Sequence, residues 1–480
     1  MAEPKKVDRR KFIYAGLGAV ALIAIGAAAY FAAKPPVVTT VPTTTVITQP
    51  TTTVVTTTSV VTTTSPATTS TGKRKITLTV SYPTSRYMKV VVADGISLLR
   101  QRHPELEIEV EEVSKDWDAY LVYLKTAFAS GEPPDIPFID AMWISYYADL
   151  GFMEPLDNYL AGWPDYNNWI PAYKEAVIMP DGHTYGIWYN TDSRPCVYWK
   201  KHFPRGFPQT FEELLSEAER LKKEGVPMTH ITAELEYPFT TVYMNIAPKE
   251  LIGPPGWGIL KLENGKWKSA INNPYAIKAA EMCKQMYDAG VKIVPVSEWT
   301  ATVEAFYSGI YSANLVYGMW FTGELRDKGM SWEDIKKNFG WAWLPPPSSG
   351  GRVHAGVPGG WTLGIPKAAK APKELIWEFI RLALSKETMS KASEFGVFPT
   401  RQDAWEEAIK RSPDPFYSEY LNSDPYKKGD IYLFPMHPAY GTKIATSLYY
   451  DFIWSVLLGQ KTPEKAIQDY DVAINVVVSE

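Results

Sequence analysis

The chain has 480 residues, enough for two lobes that each bury a core. Lys and Arg number 49 against 53 Asp and Glu, a net charge of −4 with pI about 6.0, which excludes the basic face that nucleic acid requires. Two cysteines, Cys196 and Cys283, lie far apart without metal-ligand spacing, and whether they pair is left open. Trp and Tyr are abundant at 17 and 29, more than packing alone ordinarily uses, and Asn and Gln are sparse, as in chains from hot habitats.

Residues 1–11 are basic, with Arg9, Arg10 and Lys11, and the 22 residues from 12 to 33 carry no charge. That length spans a bilayer as a helix, and the positive flank keeps the N-terminus cytoplasmic, so everything after Lys34 faces outward. The run Asp8–Ile13 also resembles a twin-arginine export signal, with Ala27–Ala29 as a cleavage site, so a retained anchor and a cleaved signal both stand. Residues 35–72 are Thr, Val, Pro and Ser without a charge, a composition that cannot bury a core. It reads as an extended stalk reaching on the order of 100 Å, suited to O-glycosylation. A stalk is useful to a tethered protein and idle in a free one, which favours the anchor. No N-x-S/T sequon occurs, so any glycan is O-linked.

Folded sequence begins at Lys75. Ile76–Val80 alternates as a strand, Met88–Arg102 is a helix stopped by Pro104, and Leu106–Val113 alternates again. Trp117–Ser130 has helical spacing, closed by Gly131 and by Pro133–Pro134, and Ile136–Ile139 is a short apolar strand. Strand, helix, strand, helix, strand is the signature of a parallel sheet with crossover helices. Asp140 and Trp143 then lie just past the carboxyl end of a buried strand, where open α/β sheets put ligands. A carboxylate accepts hydroxyl hydrogen bonds and an indole stacks on a sugar's C–H face; equally, Asp140 is a helix cap and Trp143 is core.

The segment Ala129–Trp143 (ASGEPPDIPFIDAMW), followed by Gly151–Asp157 (GFMEPLD), resembles the extracellular solute-binding proteins of carbohydrate ABC importers, in the archaeal-type membrane-anchored form. Further along, Gly182–Asn190 (GHTYGIWYN) and Tyr198–Phe203 (YWKKHF) are similar to the family's segments leading through a first hinge, with Trp188 and Trp199 as departures. Phe207–Leu221 matches a family motif that is physically a capping box, Thr210 with Glu213. Pro274–Ala289 and Thr302–Ser308 read as helices. Gly309–Trp320 (GIYSANLVYGMW) resembles the family's strand ending in glycine so that an aromatic projects over the ligand, and Phe339–Pro345 (FGWAWLP) its strand through a second hinge. Gly359–Pro366 (GGWTLGIP) matches a segment whose glycines let backbone N–H groups approach a ligand. Two helices, Leu375–Leu384 and Lys386–Phe395, precede Gly396–Arg401 (GVFPTR), which matches the third hinge. Asp414–Phe434 fits the family poorly, and His437–Leu458 and Thr462–Val478 read as closing helices.

The resemblance covers about residues 76–480 and implies an α/β, two-lobed periplasmic-binding-protein-like fold with three hinge crossings, preceded by a transmembrane helix and a disordered Thr-rich stalk. Its parts are 1–34 anchor, 35–74 stalk, 75–187 plus 347–397 N-terminal lobe, and 188–346 plus 398–480 C-terminal lobe. It implies a monomeric binding protein at the outer cell surface that captures a sugar and delivers it to ABC transporter permease subunits, with no cofactor, no metal and no catalysis. The ligand-contacting candidates are Asp140, Trp143, Tyr189, Asn190, Trp320, Gly359, Gly360, Trp361, Arg401 and Tyr440. Each has a bland alternative: core packing for Trp320 and Trp361, hinge packing for Tyr189 and Asn190, a surface hinge residue for Arg401, and Tyr440 only as a third aromatic wall. With no cluster of Lys or Arg beside the three tryptophans, the expected ligand is a neutral di- or oligosaccharide. Two other classes remain: a cell-surface glycoside hydrolase, although H-E-x-x-H, G-x-S-x-G and phosphate-loop motifs are missing, and a polysaccharide-binding adhesion protein.

Overall fold

In the computed structural model the described residues are 73–192, 194–231, 237–295, 298–348, 351–353, 359–423, 425 and 433–479. The apolar run 12–33 and the stalk up to residue 72 lie outside them. Among the described residues no helix is long and apolar enough to cross a membrane.

Among the described residues thirteen strands form three sheets: β1 (Arg74–Pro83), β2 (Leu106–Lys115), β3 (Ile136–Asp140), β4 (Ile187–Asp192), β5 (Cys196–Trp199), β6 (Thr229–Ile231), β7 (Leu260–Glu263), β8 (Lys266–Ser269), β9 (Lys292–Val294), β10 (Ala313–Asn314), β11 (Phe339–Ala342), β12 (Gly359–Leu363) and β13 (Phe398–Pro399). The first sheet runs β13-β4-β12-β3-β1-β2 and the second β11-β5-β10-β6-β9; β7 and β8 make a hairpin. The expected parallel unit is present: β1 pairs with β2 over ten residues, Arg74 opposite Leu106 to Pro83 opposite Lys115, and with β3 on its other side. Ser85 caps the helix Arg86–Arg102, and Thr210 and Glu213 form the reciprocal capping box of the helix Phe211–Lys223.

One core lies between the first sheet and the helices Arg86–Arg102 and Lys373–Ala383, built from Leu78, Val80, Phe138, Ile187, Val91 and Phe379. The other runs through the second lobe and continues beneath the opposite face of the first sheet through Tyr120, Ile139 and Trp188. Several details differ from expectation. β4 stays in the first sheet to Asp192 and β13 joins that sheet at Phe398–Pro399, whereas the expected lobe boundaries fell at 187/188 and 397/398. The strand expected before Trp320 is only Ala313–Asn314, since the chain turns away at once toward the helix Phe321–Asp327. The closing region opens with a nine-residue π-helix, Tyr440–Leu448, before the α-helix Tyr449–Leu457. Cys196 and Cys283 are both buried and free.

Two buried carboxylates each tie together distant parts of one lobe. Asp135 immediately precedes β3 and accepts three backbone N–H bonds: Thr79 at 2.9 Å on Oδ2, and Lys370 at 2.7 Å and Ala371 at 2.9 Å on Oδ1. It therefore joins β1 to a segment more than two hundred residues later. Asp135→Ala leaves those donors unsatisfied and is expected to lower unfolding free energy by about 3 kcal/mol in urea titration; a loss below about 0.5 kcal/mol would show that water replaces the carboxylate there.

Asp414, in the second lobe, accepts from Thr322 Oγ1 at 2.6 Å and from Phe416 N at 2.8 Å. Burial outweighs these bonds and pushes its carboxyl up to about 6. A carboxyl with a higher pKa folded than unfolded favours the fold while protonated. Its contribution is complete below about pH 4 and is lost as pH rises through 6. Stability is expected to fall by roughly 2–3 kcal/mol from this group between pH 4 and 7. Denaturant titrations of the protein and of Asp414→Asn across that range check it, and an unchanged slope in the variant would acquit Asp414.

Candidate functional site

The segment Gly359–Leu363 enters the first sheet between β3 and β4, antiparallel to both. That insertion sets Trp361 opposite Asp140 on one side and Asn190 on the other. Asn190 Oδ1 accepts the Trp361 backbone N–H at 3.1 Å, and the register shifts between Trp361 and Thr362. A bulge of this kind re-aims a side chain, and the Trp361 indole is left half-buried with Tyr120 6.1 Å away. Asp140 is half-buried at the carboxyl end of β3; its Oδ1 accepts Met142 N at 3.0 Å and its carbonyl accepts Trp143 N at 2.8 Å. Asp140 thus serves as a turn cap, and its partial exposure leaves it within a ligand's reach. Trp143 is 9% exposed, and Lys125 Nζ sits 3.9 Å from its ring centroid; desolvation holds that ammonium below its usual pKa.

In the second lobe Trp320 begins the helix Phe321–Asp327, at the level where two crossings meet. Arg194, just past β4, places its guanidinium 4.5 Å from the Trp320 centroid, and a Cβ at Gly396 would come within 2.9 Å of Trp320 Cα. The ring lies on Gly318, where a Cβ would fall 1.5 Å from it, so glycine at 318 is what lets the indole turn this way. Behind it Tyr307 and Tyr317 both donate to Glu324 Oε2, each at 2.5 Å. Burial raises the Glu324 carboxyl above its ordinary value, although both hydroxyls oppose that.

Five candidates are placed elsewhere than expected. Tyr189 is fully buried between Tyr87 and Phe138, on the helix-covered face of the first sheet, so it belongs to the core. Arg401 is 1% exposed, and all five of its N–H donors are engaged. Nε and Nη2 bond Asp403 at 2.7 and 2.8 Å, Nη1 and Nη2 bond Asp165 at 2.9 and 3.0 Å, and Nη1 also reaches Leu384 O at 2.8 Å, with the guanidinium over Trp169. It is a structural clamp with no donor left for a hydroxyl. Gly360 has φ +146°, and a Cβ there would meet Trp188 Nε1 at 2.1 Å and Asn190 O at 2.2 Å. The space its missing side chain leaves is filled by Trp188 rather than kept for a ligand. Gly359 is an ordinary strand residue whose carbonyl accepts from Thr191 Oγ1 at 3.4 Å. Tyr440 is 2% exposed and stacks on Phe434, which packs on Trp188.

The candidates still at accessible positions are therefore Asp140, Trp361 and Trp320, with Trp143 and Asn190 close to buried. One cation stands on each of two separate indoles, in place of the basic cluster that a phosphate or acidic sugar calls for. Sequence reasoning passed over Lys125, Arg194 and Glu324, and also Trp341 and Trp343 at the end of β11. These two, 5.7 Å apart, both pack on Tyr420. Their i, i+2 spacing on a short strand was the available signal. Among the described residues no group of three or more His, Cys, Asp or Glu is arranged to hold a metal ion.

Residues 81–390 match the family model described as bacterial extracellular solute-binding protein. A Brucella abortus (strain 2308) binding protein is 25% identical over 262 residues, covering 53% of this chain and 59% of its own. The maltotriose-binding protein of Pyrococcus abyssi is 23% identical over 314 residues, 65% of this chain and 63% of its own. The chain thus spans less than two thirds of either relative. Among solved structures, the GacH receptor of Streptomyces glaucescens superposes with TM-score 0.66 at 18% identity, over 85% of this chain and 99% of that one. T. maritima MalE3 with maltose gives 0.63 at 22%, over 84% and 99%. At such identities these two likenesses speak for the fold.

Arg401→Met breaks the clamp and leaves Asp165 and Asp403 facing an apolar side chain. It is expected to lose about 3–5 kcal/mol of stability, and Arg401→Lys to recover only part, because an ammonium cannot fork to two carboxylates and a carbonyl. Chemical denaturation of both variants measures this; a Lys variant as stable as the original would end the clamp reading.

Proposed function

The chain belongs to the bacterial extracellular solute-binding protein family, and from that premise we propose that it captures a saccharide between its lobes and presents it to the membrane subunits of an ABC importer. The observation that carries this is the family match across both lobes, joined to a half-buried indole from each: Trp361 beside Asp140 in the first, and Trp320 in the second. Relatives named for maltotriose and crystallised with maltose support a sugar as the ligand class. The lobe division we adopt follows sheet membership: 74–192 with 359–404, and 196–342 with 405–479. Binding does the work without turnover. The ligand's affinity for the closed arrangement shifts the population toward the form that the transporter engages.

The ligand we favour is a neutral di- or oligosaccharide. Indoles from opposite lobes suit a row of rings, and Lys125 and Arg194 are already stacked on indole faces rather than gathered as an anion clamp. Membership in an extracellular family supports an extracytoplasmic location. Attachment through residues 12–33 and a stalk to residue 72 rests on composition: 22 uncharged residues behind a basic flank, then a chain without charge.

Calorimetry of residues 73–480 against mono- and oligosaccharides tests the reading. Stoichiometric binding of a sugar that is recovered unchanged is the expected result; turnover of a glycoside without such binding would replace it with a hydrolase. Trp361→Ala is expected to weaken the bound sugar by roughly 2–4 kcal/mol. Affinity kept within about threefold would remove Trp361 from the site.

A further inference from the structure

Trp320 carries a cover. A Cβ at Gly318 would fall 1.5, 1.8 and 2.1 Å from Cζ3, Cε3 and Cη2 of the indole. These are consecutive ring carbons, and a point beyond the ring's edge would lie farther from the outer two. That position is therefore over the ring, and the Gly318 backbone fills one face. The Arg194 guanidinium, over the ring at 4.5 Å from its centroid, takes the face that is left. A planar guanidinium stacks on the same π surface that a sugar's C–H face uses, so the two compete for one place.

The chain holds Arg194 at this spot. Pro195 confines the residue before it to extended backbone. The Pro195 carbonyl accepts Tyr317 N at 2.9 Å, and the Cys196 thiol donates to Leu315 O at 3.1 Å. β5 then pairs with β10, Val197 opposite Asn314. Residues 194–196 thus run beside 315–317, and cover and platform belong to one lobe. Only the Arg194 side chain has to swing for the ring to be bared. Lys125 stands on Trp143 in the same way, but that indole is 9% exposed and has little surface left for a ligand. Trp320 is half-buried, so leaving of the guanidinium opens it.

We propose that Arg194 is a specificity-determining residue: it covers Trp320 in the empty protein, and a ligand must displace it to stack there. This rests on the saccharide reading and on Trp320 as a platform. A cation on an indole and a ring on an indole are contacts of similar strength, so a lone sugar ring gains little by replacing the guanidinium. The covered platform therefore serves ligands already held at Trp361 and long enough to reach across, and single rings gain nothing from it.

The test follows Arg194 itself. With 13C-labelled arginine, the Arg194 Cδ–Hδ resonances are identified by their loss in Arg194→Lys. Over an indole face they are expected upfield of the ordinary arginine position, and Trp320→Ala should return them to it. Saturating maltotriose should do the same in the original protein. An ordinary position in the empty protein overturns the cover, and bound maltotriose with the upfield shift kept overturns the displacement. Calorimetry with maltotriose is the second arm. Arg194→Ala is expected to bind roughly three- to tenfold more tightly, the range of one cation–π contact. In a Trp320→Ala background the same change should give no gain. Arg194→Gln takes its place should the alanine variant not fold. Unchanged affinity overturns the proposal, as does weaker binding, which would mean that the guanidinium grips the sugar itself. If maltotriose and the wider sugar panel all fail to bind, the saccharide reading falls and displacement falls with it, while the upfield shift still decides whether Arg194 covers the ring.

Discussion

The candidate site depends on one insertion. β12 arrives more than two hundred residues after β3 and bonds to β3 on one edge and β4 on the other. Without it the first sheet is two unconnected pieces, and Asp140, Asn190 and Trp361 have no common neighbourhood. Its geometry is tightly determined: Gly360 takes a conformation that side chains rarely adopt, because Trp188 occupies the place of a Cβ. Trp361 must then follow with its N–H on Asn190, and the bulge after it sets the indole's direction. The first lobe is complete only when β12 and β13 have returned, so its core depends on contacts of long sequence separation, which close slowly.

Much of this was legible because local chemistry agreed with the final fold. Alternation in Ile76–Val80 and Leu106–Val113 gave two strands, and the apolar run at Ile136 gave a strand covered on both faces. The Thr210 capping box appeared where Thr and Glu stood three residues apart. What stayed hidden was the fate of side chains whose partners are distant in the chain. Arg401 reads the same whether it will grip a hydroxyl or a carboxylate, and Asp165 decides the matter from 236 positions away. Tyr189 and Asn190 alternate on a strand buried on both sides, so alternation could not say which face met the ligand. Trp188 stood out as a departure from the family's pattern, but only the fold shows that Gly360 is its complement.

The buried ionic groups divide by what they are bonded to. Asp135 binds backbone N–H groups and fixes chain path; Arg401 binds two carboxylates and a carbonyl and fixes a crossing; Glu324 binds two hydroxyls and fixes side chains. Backbone N–H groups tie a carboxylate to the path of the chain, whereas hydroxyls tie it only to other side chains. That difference suits their tasks. A path-setting group must hold at all times, while a group behind an aromatic platform need only bias its orientation.

Among the described residues the contacts between the lobes differ in kind. Arg86 and Asp327 form an ion pair across them, with side chains 65% and 45% exposed, and such pairs contribute little once screened by salt. Hydrogen bonds cross beside the third crossing, Ser412 Oγ to Ser393 O at 3.2 Å and Tyr417 Oη to Val397 O at 3.0 Å, and close packing adds Phe434 on Trp188 and Gly441, at the start of the π-helix, against Met142. A Cβ at Gly441 would sit 2.6 Å from Met142 O, so backbone meets backbone there. Dispersion at that range disappears within an ångström or two of separation. Such a contact depends steeply on separation, whereas an ion pair weakens gradually with distance. Met142 lies between Asp140 and Trp143, so this backbone contact between the lobes borders the candidate site.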